Sequence, residues 1–138
     1  MKTLEVSVGQ KEKIVWDTNQ DAAISIGGGS SVFAIIKCPE NIIELSIVGG
    51  STIEIYGECK HLIVKKATAG SHLNLNSFFC EEATIELADW GACLELSVSR
   101  IIHSVCLKRA SILVFSGSPQ VSNINLYGGS VIEQRDSD

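Results

Sequence analysis

A small-residue turn recurs six times at a nearly constant interval, and that interval limits what the chain can fold into. The turns are Gly29-Ser30, Gly50-Ser51, Gly70-Ser71, Gly91-Ala92, Ala110-Ser111 and Gly129-Ser130, and their second members are 21, 20, 21, 19 and 19 residues apart. Apolar residues sit two and four places after each of the first five: Val32 and Ala34, Ile53 and Ile55, Leu73 and Leu75, Leu94 and Leu96, Leu113 and Phe115. The last unit keeps Ile132 and then meets Gln134. A second column precedes the turns and reads Leu4, Ile24, Leu45, Val64, Ile85, Val105, Ile124. Two residues further on stand Val6, Ile26, Ile47, Lys66, Leu87, Leu107 and Leu126, with Lys66 the one exception to an apolar column.

Residues i and i+2 share one face of a strand, so each unit supplies short strands with one apolar face. Such a unit cannot bury that face alone, but stacked units can. Equivalent strands then pair in parallel about 4.8 Å apart. The pattern predicts an all-β, single-stranded parallel β-helix (β-solenoid) of about six to seven coils with 19–21 residues per coil. Right-handed coiling is the rule for parallel crossovers. Antiparallel meanders would not keep residue i above residue i+20, and a period of 19–21 does not divide into hexapeptides. We expect one domain over 1–138: an irregular first coil and cap at 1–21, regular coils at 22–133 and a charged tail at 134–138. The segment from Gly9 to Gln20, with the charge run Lys11-Glu12-Lys13 and Trp16, reads as a loop covering one end.

The chain has 138 residues, 45% of them hydrophobic and 20% charged, which is too apolar for a disordered segment. Eleven Lys and Arg against sixteen Asp and Glu give a net charge of −5, which argues against a nucleic-acid partner. The apolar uncharged stretch 22–36 is interrupted by Gly27-Gly28-Gly29, so no membrane span is expected. That glycine run is not followed by Gly-Lys-Ser/Thr, and it reads as a turn, not a phosphate cradle. No signal-peptide pattern opens the chain, and five cysteines leave at least one thiol unpaired. Both observations point to a cytoplasmic protein, with export as the alternative if a leader has been removed.

The small-Ser turns also carry a family resemblance. The stretch Ala110-Ser111-Ile112-Leu113-Val114-Phe115-Ser116-Gly117-Ser118-Pro119, continuing through Val121-Ser122-Asn123 to Gly128-Gly129-Ser130-Val131-Ile132, resembles the last coils of the GIN-type domain, labelled an auto-transporter adhesin head. The resemblance covers roughly 20–133. It implies a right-handed parallel β-helix of unassigned biochemical function, often found on exported bacterial proteins. It brings no catalytic signature.

Three groups of residues could carry chemistry. Cys38, Cys59 and Cys80 are spaced 21 and 21, in step with the repeat, and should form a ladder of small apolar side chains in an inward corner. A sharper reading adds the residues two places on: Cys59, His61, Cys80 and Glu82 would place two thiols, an imidazole and a carboxylate on adjacent rungs, a set that zinc could use. Glu54 and Glu95 lie two rungs apart on an outer face with Asn74 between them, about 10 Å from one another by rung spacing. With Trp90 in a neighbouring turn they make a candidate ligand face for a saccharide, whose alternative is a solvated acidic face. His72 and Cys93 share a column, Cys106 should face outward, and His103 falls in the column of Ala22, Ile43, Leu62, Ala83 and Ser122. No catalytic set and no cofactor site is expected. The first expectation for function is a non-catalytic structural or interaction module that self-associates or binds a protein or glycan partner. A carbohydrate-binding or carbohydrate-active β-helix and a metal-binding protein are the alternatives.

Overall fold

In a computed structural model, which describes residues 1–135, the chain is a parallel β-solenoid of about seven stacked turns. The strands are β1 (Lys2–Val6), β2 (Lys11–Asp17), β3 (Ala22–Ile26), β4 (Ser31–Ile47), β5 (Thr52–Thr68), β6 (His72–Asp89), β7 (Cys93–Leu107), β8 (Ile112–Ser116), β9 (Gln120–Val121), β10 (Ile124–Leu126) and β11 (Val131–Arg135). All of their pairings are parallel. Among the described residues no helix is long and apolar enough to cross a membrane.

Three faces follow from the register. The first stacks Leu4, Ile24, Leu45, Val64, Ile85, Val105 and Ile124 in an unbroken line. The second stacks Val32, Ile53, Leu73, Leu94, Leu113 and Ile132. The third is shorter and carries Cys38, Cys59, Cys80 and Val98. The inward members are buried in the middle rungs and form one apolar core along the axis. Phe78 is the largest fully buried side chain in it.

The turns explain their own sequence. Gly29, Gly50, Gly70, Gly91 and Gly129 all have positive φ, the conformation glycine adopts without steric cost. The turn serines at positions 30, 51, 71 and 111, the last after Ala110, are buried. Their hydroxyls satisfy backbone groups no strand can reach. Ser51 Oγ donates to Gly27 O at 2.7 Å and accepts the Ser30 amide at 3.1 Å. Ser71 and Ser111 Oγ donate to the carbonyls three residues back at 2.6 and 2.8 Å. The turn is therefore a polar ladder at the rim of an apolar core.

Three details depart from the sequence reading. Lys66 does not interrupt the first face. β5 and β6 each carry one extra residue there, so Ala67 and Ala88, both fully buried, continue the column from Ile47 to Leu107, and Lys66 and Leu87 are displaced from it. His103 is not in the inward column either: Ile102 pairs with Ala83 and Val121, which turns His103 outward. The first coil is regular where 1–21 was expected to be irregular, because Lys11–Asp17 forms a strand in register with Ser31–Lys37. Glu12 falls in an inward column but stays exposed, since no described rung lies beneath it to bury the charge. Trp16 packs on the core with Lys2 Nζ 5.2 Å from its ring centroid. At the other end Gln134 and Arg135 belong to β11, and the rest of the expected tail, 136–138, lies outside the described residues.

Candidate functional site

The expected ligand column exists. Phe33, Glu54, Asn74, Glu95, Val114 and Glu133 follow one another rung by rung on the outer side of the second face. Beside it run Val15, Ile35 and Tyr56. Alternation sends these side chains outward because their neighbours Ala34, Ile55, Leu75 and Leu96 fill the core. The face therefore divides into two zones. Toward the N-terminal rungs it is apolar and aromatic: Val15, Ile35 and Tyr56 are exposed, and the Phe33 and Tyr56 rings lie 5.6 Å apart.

Further along, the face is a polar network centred on Glu95. His72 Nε2 lies 2.7 Å from Glu95 Oε2, while Arg135 Nη2 at 3.0 Å and Asn76 Nδ2 at 3.3 Å reach Oε1. Arg135 Nη1 also donates to Asn76 Oδ1 at 3.2 Å, which ties β11 back to β6. The His72 hydrogen bond, then those of Arg135 and Asn76, hold the Glu95 carboxyl below the usual carboxylate range, against the opposing effect of its partial burial. Such a group stays ionised at neutral pH, the wrong state for a general acid. Glu54 instead accepts a 2.7 Å bond from the Tyr56 hydroxyl. The sequence reading missed Arg135 because it comes from 40 residues away and its column carries no periodic signal.

Trp90 does not join this face. It sits in a turn with φ 56°, and the Arg109 guanidinium lies 3.9 Å from its ring centroid.

The four candidate metal ligands are split by the corner between the third and first faces. Cys59 and Cys80 point inward with their sulfurs 3.5 Å apart, while His61 and Glu82 point outward. His61 Nε2 is paired with Thr84 Oγ1 at 2.8 Å and Glu82 Oε1 with His103 Nε2 at 2.5 Å. The physical reason is the extra residue at the corner: Cys59 and Leu62 are both buried, so strict alternation is lost between them. The Cys59 thiol is pushed up by its hydrogen bond with Cys80 and by burial, and burial raises Cys38 to about 11. A metal ligand needs the thiolate, so these shifts work against binding. Among the described residues no three His, Cys, Asp or Glu side chains converge as a metal site. Cys38, Cys59 and Cys80 instead form the expected buried ladder.

No family model, curated protein or solved structure matches this chain. The arrangement of side chains is thus the ground for any reading of function.

One feature lies outside every sequence expectation. A groove of about 550 Å³ follows the third face from Pro39 to Gly117, with Phe79 on its wall and Cys59 and Cys80 beneath. It arises from unequal coil lengths. Between the pairs Leu75↔Leu96 and Phe79↔Ser97, β6 spends three residues more than β7. That excess puts Phe78 into the core and leaves Phe79 63% exposed.

Proposed function

We propose that this protein is a non-catalytic scaffold whose second face docks onto another protein surface, a second copy of the chain first of all. The observation that carries the reading is the outward column Val15, Ile35 and Tyr56, three apolar side chains on three successive rungs, all exposed. Scattered surface apolar residues are ordinary, whereas a contiguous strip on a flat sheet is a surface suited to association. Lys13, 5.7 Å over the Phe33 ring, and Glu54 border the strip with opposite charges, so two copies related by a two-fold axis could pair one against the other. The carboxylates support a role without catalysis: those that leave their ordinary range, Glu82, Asp89 and Glu95, all move downward, each mainly through a hydrogen bond from a basic side chain. The resemblance to adhesin-head-like domains points in the same direction.

Sedimentation velocity from micromolar to millimolar protein tests the reading. The wild type is expected to shift toward a dimer with concentration, and Ile35→Lys to remain a monomer at every concentration. A wild type that stays monomeric throughout removes self-association through this face.

A further inference from the structure

Arg109, Trp90 and Asp89 form a cation–aromatic–carboxylate arrangement, and Phe79 is a second exposed ring with carboxylates beside it and no cation over its face among the described residues. Arg109 lies over Trp90 while Nε and Nη2 reach the two Asp89 oxygens at 2.9 and 2.6 Å. Phe79 stands exposed on the groove wall between Glu58 and Glu81. Glu58 is the register partner of Phe79 on the adjoining rung, and Glu81 follows two residues after it. No Lys or Arg lines the groove. Glu58 has no ion pair among the described residues, although Lys37 is its register partner on the preceding rung, and the Arg100 contact to Glu81 is a loose 4.0 Å between exposed groups. Much of the remaining lining is small, with Ser97, Ser99, Ser116 and Gly117, and Phe79 is 63% exposed. Neighbouring backbones approach closely there: a Cβ at Gly117 would stand 2.1 Å from the Val98 carbonyl oxygen.

We propose that this groove binds an extended, arginine-bearing segment of a partner protein, with one guanidinium stacked on Phe79 and bonded to Glu58 or Glu81. The groove crosses five rungs, about 19 Å, which matches roughly six residues of extended chain. A planar guanidinium can stack on a ring and fork onto a carboxylate at once, as Arg109 does here, and a compact ammonium cannot. Two carboxylates on a groove that no Lys or Arg lines also disfavour an acidic segment. The proposal rests on reading the protein as an interaction module, but it is independent of self-association through the second face.

The test uses the whole chain and a labelled hexapeptide of alternating serine and arginine, followed by fluorescence anisotropy. A second peptide carries citrulline, the uncharged isostere, at every arginine. Saturable binding of the arginine peptide is expected, with the citrulline peptide at least about tenfold weaker. Glu58→Gln and Phe79→Ala should each weaken binding by about three- to tenfold, in line with an exposed charge contact and a cation–ring contact. Phe79 is exposed, so its truncation leaves the core intact, and circular dichroism checks this. Ile35→Lys should leave peptide binding unchanged, which separates failure of the docking face from failure of the groove. Equal affinity for the two peptides, no saturable binding, or an arginine peptide indifferent to both groove variants would overturn the proposal.

Discussion

Arg109 stacks on Trp90 from the next rung, 3.9 Å from the ring centroid, and grips Asp89 with two hydrogen bonds. Trp90 holds φ 56° in this turn, a backbone conformation that disfavours a bulky side chain, and its amide donates to Asp89 Oδ1 at 2.8 Å. One carboxylate thus fixes both the strained turn and the cation above it. The Arg109 hydrogen bonds hold Asp89 below the usual carboxylate range. A lowered carboxyl contributes stability that is complete above its unfolded value of 3.8 and is lost as the pH falls through the lowered folded value. Arg109→Ala should therefore unfold at lower urea than the wild type at neutral pH, and the gap should begin to narrow as the pH falls below 3.8 and close only below the lowered folded value, where Asp89 is protonated in either protein. Urea midpoints across that pH range check this; a gap unchanged in acid would mean that Arg109 acts by packing alone.

Two glycine substitutions should separate steric clash from backbone strain. A Cβ at Gly57 would lie 1.9 Å from the Ile36 carbonyl oxygen, whereas a Cβ at Gly70 would meet nothing within 4 Å. Gly57 has φ 128° and Gly70 φ 73°. Gly70→Ala should cost about 1–2 kcal/mol, the ordinary charge for a left-handed alanine. Gly57→Ala adds a backbone collision between rungs and should cost more than about 4 kcal/mol, the range reserved for severe local damage. Similar losses from both in equilibrium denaturation would contradict the close approach at Gly57.

Phe78 is the one phenylalanine with no exposed surface, and it fills the space that the three-residue excess in β6 creates. Phe78→Ala should destabilise the protein by about 3–5 kcal/mol through lost burial and the cavity left behind. Phe79→Ala, one position along and exposed, should change stability by less than about 0.5 kcal/mol. Chemical denaturation of the pair measures this, and a reversed order would mean that the two rings face the opposite way.

The serine ladder makes a graded prediction. Ser111 is fully buried, with its hydroxyl on Lys108 O and its amide bonded to Ser130 Oγ. Ser111→Ala should cost about 1–3 kcal/mol, because the part-buried Lys108 carbonyl loses its partner. Ala92 occupies the same column without a hydroxyl and is equally buried, which shows that the turn backbone survives the loss and caps the penalty. Thermal unfolding of the variant settles the size; complete failure to fold would mean that the ladder is needed for the turn to form.

The spacing of small and aliphatic residues determined the parallel stack by itself. Seven side chains from Leu4 to Ile124 lie rung over rung as their intervals require, because only a repeat near twenty lets every unit bury its apolar face on the next. The cysteine ladder and the Glu54, Asn74 and Glu95 column were legible for the same reason. Column counting failed wherever one coil held a residue more than its neighbour. An added residue reverses which side chains face inward, and alanines fit either side, so Ala67, Ala88 and His103 had to await the register. Arg135 on Glu95, Arg109 on Trp90 and the groove beside Phe79 are likewise decisions of the tertiary structure. They depend on where long side chains and unequal corners meet in space, and no interval along the chain encodes that distance.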